Sequence, residues 1–283
     1  MPKGPRRPRF RFPEAGEPPW RVAHRGGAAL GPENTIAAAL RGHAVGAEAW
    51  ELDVQLSRDG TPVLLHDESL RRTTDVEARY PGDPRAGSGH LVSDYGWDEI
   101  RGLRPGVPTL EEALDLTKAL AWRVNVELKS VPSAPPGLAE AVLSMLARHD
   151  AYGWAWVSTF DHAEAARIAR SSPSLAVGVL ATTPVERPAA YVRRWVGADA
   201  YHPSVAAVGA ATIAYLSAPS PENLRRADLD GLRAAAVPFF IYTVDDHRPG
   251  GLADHLASAG AAGWFTDHVG QSSSLSAHQT PHG

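Results

Sequence analysis

The sequence contains no cysteine, which excludes disulfide bridges, thiolate nucleophiles and cysteine-ligated zinc. It also lacks an apolar run long enough to span a membrane, and its basic, proline-rich start is not followed by the apolar segment of a secretory signal. A net charge of −4, with both signs mixed, argues against nucleic acid as the main partner. Together these absences predict a cytoplasmic protein without stable membrane insertion; no feature specifies an oligomeric state.

The chain of 283 residues is long enough for one large α/β domain. Short apolar runs alternate with helix-like segments, which favours a parallel sheet closed into a TIM (β/α)8 barrel. We predict a flexible basic segment at 1–19, a single barrel domain at 20–269 and a disordered tail at 270–283. The predicted strands are Arg21–His24, Ala49–Leu56, Pro62–His66, Arg123–Lys129, Ala155–Phe160, Leu175–Leu180, Asp199–His202, Phe239–Val244 and Gly263–Thr266. The predicted helices are Asn34–Val45, Leu110–Ala121, Gly137–Arg148, His162–Arg170 and Pro221–Ala236.

One link breaks the alternation of strands and helices. Ala49–Leu56 and Pro62–His66 are separated by too few residues for a parallel crossover, and Asp59-Gly60 between two alternating runs is typical of a hairpin. We therefore predict that the second barrel strand extends into a hairpin, which accounts for one strand more than a barrel of eight needs. With Asp59-Gly60 as a two-residue turn, Asp53 pairs with His66 and the two side chains share a face.

Polar side chains lie at the C-terminal ends of the predicted strands, where this fold places its chemistry. His24 and Arg25 follow the first strand. The strand after the hairpin carries Asn125, Glu127 and Lys129 on one face, because side chains alternate along a strand. Since helices cover the outside of such a barrel, this polar face is expected to point into the mouth.

Three carboxylates, Glu51, Asp53 and Glu127, supply the hard oxygen ligands that Mg²⁺ and Ca²⁺ prefer, and without a cation they would repel one another. We predict one divalent cation, Mg²⁺ or Ca²⁺, and favour Mg²⁺ because few protein carboxylates are available. His24 and His66 suit a general acid and a general base near neutral pH.

Arg25 and Lys129 supply fixed positive charge for a phosphate, and the guanidinium of Arg25 can bind it bidentately. Phosphoryl chemistry needs such charge neutralisation together with one group that removes a proton and another that protonates the leaving oxygen. The predicted pairing of His66 with Asp53 places His66 beside the cation, which favours His66 as the acid and His24 as the base.

Four segments resemble the successive signatures of the glycerophosphodiester phosphodiesterase family: HRGGAALGPENT from His24, ELDVQLSRDGTPVLLHDESLRRTTD from Glu51, PTLEEAL from Pro108 and VNVELKS from Val124. Weaker similarity continues to Asp267. The resemblance implies a barrel enzyme that hydrolyses small-molecule glycerophosphodiesters to glycerol 3-phosphate and an alcohol with one divalent cation. It implies acid/base roles for His24 and His66, metal binding by Glu51, Asp53 and Glu127, and phosphate binding by Arg25 and Lys129.

The chain departs from that family's pattern in two places. Tyr242-Thr243-Val244-Asp245 stands where the family often has Trp-Thr-Val-Asn, so the wall that binds the alcohol, with Tyr242 in it, is expected to differ. Glu77–His90 looks like a short insertion after the hairpin that reshapes specificity. Neither departure touches the predicted metal or histidine positions.

Three alternatives compete with this function. A lysophospholipase-D-like or sphingomyelinase-D-like enzyme has a similar centre but would need an apolar rim, and Glu77–His90 is mostly polar. A glycosidase using Glu51 and Glu127 leaves the histidines and Lys129 without a role. A non-catalytic phosphate-binding module predicts the loss of at least one catalytic position, and all of them are present.

Overall fold

The computed structural model describes residues 9–130, 135–209 and 224–270. The first part of the predicted flexible segment, nearly all of the predicted tail and the start of the helix predicted at Pro221–Ala236 lie outside the described residues. In the part that is described, the strands are β1 (Trp20–Ala23), β2 (Ala49–Leu56), β3 (Pro62–Leu64), β4 (Val124–Leu128), β5 (Ala155–Thr159), β6 (Ala176–Ala181), β7 (Ala200–Pro203), β8 (Phe240–Ile241) and β9 (Gly263–Thr266).

Eight of these strands form one parallel sheet in the order β7-β6-β5-β4-β2-β1-β9-β8, and β3 lies outside this order and pairs with β2. Backbone bridges of Tyr201 with Phe239 and of Ser204 with Tyr242 join β7 to β8 and close the sheet on itself. Nearly every residue of these strands is buried, as expected when side chains fill the barrel and helices cover it. The predicted (β/α)8 barrel with a hairpin extension of its second strand is confirmed.

Helices connect the barrel strands on the outside. In the described residues the α-helices are α1 (Ile36–Ala44), α2 (Val76–Arg79), α3 (Trp97–Ile100), α4 (Leu110–Ala119), α5 (Leu138–Arg148), α6 (His162–Ser171), α7 (Pro188–Ala190), α8 (Val205–Val208), α9 (Arg226–Ala234) and α10 (Leu252–Ser258). Short 3-10 turns lie at His24–Gly26, Pro84–Ser88, Val92–Asp94 and Ala151–Gly153, and a π-helix at Tyr191–Val196 continues α7.

The predicted helix starts at Leu110 and His162 coincide with the observed starts of α4 and α6, and side chains cap both. Thr109 Oγ1 accepts the backbone N–H of Glu112 at 3.2 Å, and a Glu112 carboxylate oxygen accepts the N–H of Thr109 at 2.8 Å, which forms a capping box for α4. Asp161 caps the N-terminus of α6, where its carboxylate accepts the backbone N–H of Glu164 at 3.0 Å. The short α7 and α10 were not predicted, because one or two turns carry too little periodicity to stand out in the sequence.

The register predicted for the hairpin is wrong by one residue. Leu56 pairs with Pro62 and Val54 with Leu64, so Asp53 lies opposite Leu65 rather than His66. The loop uses three residues instead of two, with Gly60 in the left-handed conformation at φ 79°. A turn followed by a left-handed glycine is the usual form of a three-residue hairpin, and the added residue shifts every pair.

Aromatic rings close the barrel at the N-terminal ends of its strands. Phe10 and Phe12, from the segment predicted to be flexible, pack with ring centroids 4.8 Å and 5.8 Å from Trp156 in β5. Phe12 also lies 5.7 Å from Phe240 in β8, and Phe10 is buried. An apolar cluster of aromatic rings therefore fills this end of the barrel.

Candidate active site

The chain turns sharply after β1 and presents His24 and Arg25 at the mouth. Arg25 has a left-handed backbone with φ 52°, and Gly26 follows with φ 86°. A Cβ on Gly26 would lie 2.9 Å from the backbone nitrogen of Ala39 in α1, so the helix can approach this closely only against glycine. The turn directs the backbone N–H of Arg25 to Glu51, whose Oε2 accepts it at 2.8 Å.

The register between β2 and β4 brings three carboxylates together. Asp53 pairs with Glu127, and Glu51 projects from the same face as Asp53. Each of the three offers an oxygen, and these oxygens lie within 4.8 Å of one another. The residues are only 3%, 1% and 9% exposed for Glu51, Asp53 and Glu127 respectively. The carboxylates that the sequence predicts as a cation site therefore form one buried cluster.

Burial and mutual repulsion disturb the proton affinities of this cluster. Burial and the charge of Asp53 raise the pKa of Glu51 to about 8. The same two causes raise the pKa of Glu127. Burial also opposes the ionisation of Asp53, but the charges of Lys129 and His66 outweigh it and lower the pKa of Asp53. The negative charge of Asp53 is thus favoured, whereas the raised pKa of Glu51 shifts its carboxyl toward the protonated form without removing its charge completely.

Lys129 and Arg25 place positively charged groups next to the carboxylate of Asp53. Lys129 Nζ donates to Glu127 Oε1 at 2.7 Å and lies 3.4 Å from Asp53 Oδ1. Arg25 Nε lies 3.5 Å from Asp53 Oδ2, while its Nη1 donates to Glu33 Oε1 at 3.0 Å. Both cationic side chains are largely buried beside the carboxylates. Such an arrangement can bind an anion next to a metal ion.

His24 is held by Asp267, a residue from the other end of the chain. Because Ala23 in β1 pairs with Thr266 in β9, the residues that follow these strands lie side by side. His24 Nδ1 lies 2.7 Å from Asp267 Oδ1, and its Nε2 lies 4.0 Å from Glu51 Oε2. Burial opposes protonation of His24, but the hydrogen bond to Asp267 and the charge of Glu51 outweigh it and raise its pKa. A protonated His24 can therefore act as an acid.

His66 lies beyond the end of β3 and has a different environment. Its Nδ1 lies 2.7 Å from Asp67 Oδ1. Arg72 binds the same carboxylate through both oxygens, and this contact, against the opposing effect of burial, lowers the pKa of Asp67 to about 2. Burial lowers the pKa of His66, and the charge of Asp53 does not reverse the shift. A neutral His66 can therefore accept a proton.

Tyr242 lies just beyond β8, on the same side of the barrel as the carboxylates. Burial and the charge of Glu127 raise the pKa of its hydroxyl. Its ring packs edge-on against Phe160, with the centroids 6.0 Å apart and the planes at 87°. The structure thus places every residue predicted for the site at the same mouth.

Three contributors were missed from the sequence. Asn34 donates to Asp53 Oδ2 at 2.8 Å and accepts the N–H of Asp53 at 3.1 Å, so it orients this carboxylate. Arg72 links Asp67 to Glu33 by donating to both carboxylates. Asp267 lies at the end of the weaker similarity to the family, and no role is predicted for it from the sequence. Asn34 had a local signal, since it lies in the segment HRGGAALGPENT at the turn before α1.

His202 in β7 does not belong to the site. It is fully buried inside the barrel and packs edge-on against Phe240 and Phe265, with ring centroids 5.6 Å and 5.1 Å away. Burial lowers its pKa to about 3. A neutral imidazole in this position fills space between rings, so its role is in packing.

The donor set of the cluster fits a divalent cation. Glu51 Oε1 is buried and has no hydrogen-bond partner within the described residues, although an unpaired carboxylate oxygen is costly. Three carboxylates around one point are the hard oxygen ligands that Mg²⁺ and Ca²⁺ take. A cation bound to Glu51, Asp53 and Glu127 would satisfy that oxygen and remove the repulsion that raises the pKa of Glu51.

The segment Glu77–His90, predicted to be an insertion, packs against Tyr95 through polar and aromatic contacts. The guanidinium of Arg85 lies 3.6 Å from the ring centroid of Tyr95, and His90 Nδ1 lies 2.6 Å from the Tyr95 hydroxyl. Among the described residues, the exposed large apolar side chains are Leu40, Val45 and Trp195, none of which belongs to the insertion. Within the same ranges, the helices are all too short or too polar to cross a membrane.

Comparison with known sequences gives a consistent match. Residues 24–271 match the family described as the glycerophosphoryl diester phosphodiesterase family. The uncharacterized protein YqiK of Bacillus subtilis is 31% identical over 264 residues, which cover 89% of this chain and 96% of that protein. A glycerophosphodiester phosphodiesterase of Bacillus altitudinis is 31% identical over 199 residues, which cover 66% of this chain and 76% of that enzyme.

Solved structures with the same fold cover most of the chain. A phosphodiesterase of Oleispira antarctica, in complex with the product sn-glycerol-3-phosphate, superposes with a TM-score of 0.67 at 23% identity and covers 92% of this chain and 94% of its own. A glycerophosphodiester phosphodiesterase of Agrobacterium tumefaciens superposes with a TM-score of 0.68 at 21% identity and covers 90% of this chain and 98% of its own. At this level of identity the likeness establishes the shared barrel.

Proposed function

Since the chain belongs to the glycerophosphoryl diester phosphodiesterase family and is by that membership a phosphoric diester hydrolase, we propose that it hydrolyses glycerophosphodiesters to glycerol 3-phosphate and an alcohol. The observation that carries the proposal is the carboxylate cluster of Glu51, Asp53 and Glu127, with His24 and His66 beside it. The Bacillus altitudinis relative is named for this activity, and the Oleispira antarctica enzyme binds this product. Both facts support the proposed product.

We expect the purified protein to release glycerol 3-phosphate from glycerophosphocholine, glycerophosphoethanolamine or glycerophosphoinositol, and to lose this activity in excess chelator. Glycerol 3-phosphate is measured with a coupled dehydrogenase. Adding Mg²⁺ or Ca²⁺ to the chelator-treated protein should restore the rate of hydrolysis. Lysophosphatidylcholine in the same panel tests the lipid alternative, which the polar insertion disfavours. Full activity in chelator, or cleavage of the lysophospholipid alone, would contradict the proposal.

We propose that one divalent cation, Mg²⁺ or Ca²⁺, is bound by Glu51, Asp53 and Glu127. Bound there, it would neutralise charge on the phosphate oxygens. Asn34 and Lys129 hold Asp53 in place from two sides, at 2.8 Å and 3.4 Å from its two oxygens. The cluster is therefore oriented by contacts that do not depend on the cation.

Cation binding is expected to release a proton and to strengthen as pH rises. The pKa of Glu51 is about 8, so below that pH its carboxyl holds a proton that the cation must displace. For one displaced proton, affinity should rise about tenfold per pH unit below the pKa and level off above it. Calorimetric titration of Mg²⁺ or Ca²⁺ at pH 6.5, in two buffers with different ionisation enthalpies, measures the protons released.

The matched variant for that titration is Glu51→Gln, which has no carboxyl to deprotonate. It should bind the cation more weakly and should lose the dependence of the observed heat on the buffer. A wild-type affinity that is constant from pH 6 to pH 8, with no difference between buffers, would show that Glu51 is already ionised before the cation binds.

The two histidines are proposed as the acid/base pair, with a division of labour opposite to the one favoured from the sequence. Asp267 and Glu51 raise the pKa of His24, whereas burial lowers that of His66. A raised pKa favours the protonated form, which suits the acid, and a lowered pKa favours the neutral form, which suits the base. We therefore assign proton donation to the leaving alcohol to His24 and proton removal from the attacking hydroxyl or water to His66. The pairing of His66 with Asp53, which favoured His66 as the acid, does not occur, because Asp53 lies opposite Leu65.

Arg25, Lys129 and Tyr242 are proposed to bind the substrate. The two cations lie next to Asp53 and supply positive charge for the phosphate, and their burial strengthens that interaction. Tyr242 and Phe160 form an aromatic wall near Glu127 against which the organic part of the substrate can pack. Tyrosine in place of the family's frequent tryptophan makes this wall smaller.

A further inference from the structure

We propose that Asp267 is a positioning residue, which fixes the imidazole of His24 so that its Nε2 faces the carboxylate cluster. The proposal deepens the proposed function, on which it rests, and concerns a residue for which no role is predicted from the sequence. Its basis is the contact of 2.7 Å between Asp267 Oδ1 and His24 Nδ1 at the point where the barrel closes.

The contact selects one tautomer of His24. An ionised carboxylate can only accept a hydrogen bond, so the nitrogen that faces Asp267, Nδ1, must carry the hydrogen. In the neutral ring, Nε2 is then the nitrogen with the lone pair, and it lies 4.0 Å from Glu51 Oε2. Asp267 thereby determines which nitrogen exchanges a proton at the cluster.

Asp267 is itself held rigidly. Its backbone N–H donates to Asp245 Oδ1 at 2.9 Å, and the neighbouring Thr266 hydroxyl donates to the same oxygen at 2.9 Å. Its carbonyl oxygen accepts the N–H of Ala29, from the turn after β1, at 3.1 Å. These bonds fix the backbone from which the carboxylate projects toward His24, as a positioning role requires.

The corresponding contact at His66 is built differently. Asp67 shares its carboxylate with Arg72, which binds both oxygens. Among the ion pairs of the described residues, Asp267 pairs with His24 alone. Removing Asp267 therefore acts on one imidazole only, so its effect can be read without disturbing the network around Arg72.

The test compares Asp267→Asn, Asp267→Ala and Asp267→Glu in the full-length protein with Mg²⁺ and glycerophosphocholine. The asparagine variant keeps the size of the side chain but can donate as well as accept, so it no longer enforces one tautomer. We expect kcat to fall by about 10²-fold in the Asn and Ala variants, by analogy with the upper end of the effect of carboxylates that orient metal-bound histidines. KM should change little, and Asp267→Glu should recover part of kcat.

A second measurement separates positioning from a merely structural role. Long-range ¹H–¹⁵N correlations of selectively labelled histidine, at a pH where the ring is neutral, report which nitrogen of His24 carries the hydrogen. His24→Gln assigns the signal. The wild type should show hydrogen on Nδ1, and Asp267→Asn a mixture of both tautomers.

The control is Asp246→Asn, which removes a nearby carboxylate that pairs with Arg248 at 2.8 Å. It should leave both kcat and the His24 signal as in the wild type. Wild-type kcat in Asp267→Asn, or the same tautomer with and without the carboxylate, would overturn the proposal. A wild-type protein with no phosphodiesterase activity would defeat the proposed function instead, and the tautomer measurement would still decide the role of Asp267.

Discussion

Replacing either His24 or His66 with alanine is expected to lower the rate of glycerophosphodiester hydrolysis by about 10²–10⁴-fold, the usual effect of removing a positioned acid or base. Each imidazole has its Nδ1 bound to a carboxylate, Asp267 for His24 and Asp67 for His66, which leaves the other nitrogen for proton transfer. The rate is measured as release of glycerol 3-phosphate, and thermal unfolding confirms that each variant is folded.

The leaving group separates the two roles. p-Nitrophenolate departs without protonation, so an ester of it does not need the acid. Because Asp267 and Glu51 raise the pKa of His24, we expect His24→Ala to recover much of its activity on the p-nitrophenyl ester. His66→Ala should stay inactive on it, since the base is still required for attack.

His149→Ala is the matched control for these variants. Its imidazole also lies beside a carboxylate, with Nδ1 3.6 Å from Asp115 Oδ1, but it follows α5 on the outside of the barrel. This variant should keep wild-type rates on both substrates. Equal rescue of His24→Ala and His66→Ala by the activated ester, or rates near the wild type for both, would rule out the two-histidine mechanism.

The barrel and most of its strands could be predicted because burial on both faces leaves a clear pattern in the sequence. The predicted Ala49–Leu56 and Gly263–Thr266 coincide with β2 and β9. The alternation of side chains then places Glu127 and Lys129 on one face of β4, which needs no tertiary information. Residues on a single strand are therefore the part of the site that the sequence specifies best.

The hairpin shows where such reasoning fails. Asp59-Gly60 correctly predicts a turn, but two-residue and three-residue loops both use glycine in the left-handed conformation. The side-chain pattern did not choose between them, and the wrong choice shifted the partner of Asp53 from Leu65 to His66. His66 still lies near Asp53 because it follows the end of β3, where strand pairing no longer determines its direction.

The contact between His24 and Asp267 lies beyond the reach of local patterns. The two residues are 243 positions apart and meet only because β1 pairs with β9 when the barrel closes. Their pairing follows from topology and register together. Resemblance to a family does not reveal this contact either, because a matching motif does not show which distant residue its side chains contact in the folded chain.

Glu127→Gln is expected to remove cation binding and activity together. The amide keeps the volume of Glu127 but lacks the charge of one of the three proposed ligands. Residues that only support a metal ligand contribute about 10–100-fold to affinity, so the loss of a ligand should be at least on the order of 10²-fold. Calorimetric titration and the rate at fixed Mg²⁺ measure the two losses, and a higher cation concentration should restore part of the activity.

The same variant is expected to be at least as stable as the wild type without the cation. Burial and Asp53 raise the pKa of Glu127, so at neutral pH its ionised form opposes folding, and a neutral amide relieves that cost. Lys129 keeps a partner, because Asp53 Oδ1 lies 3.4 Å from its Nζ. The wild type should gain thermal stability on adding Mg²⁺ or Ca²⁺, whereas Glu127→Gln should gain little.

Glu48→Gln provides the comparison for both measurements. Glu48 precedes β2 at the opposite end of the barrel and pairs with Arg21 at 2.9 Å, so its removal deletes a carboxylate near the same strand without touching the cluster. This variant should bind the cation, gain stability from it and hydrolyse substrate as the wild type does. Loss of activity in Glu127→Gln with unchanged cation affinity would show that Glu127 acts on the substrate or on Lys129 and is not a ligand. Wild-type activity in that variant would exclude it from the site altogether.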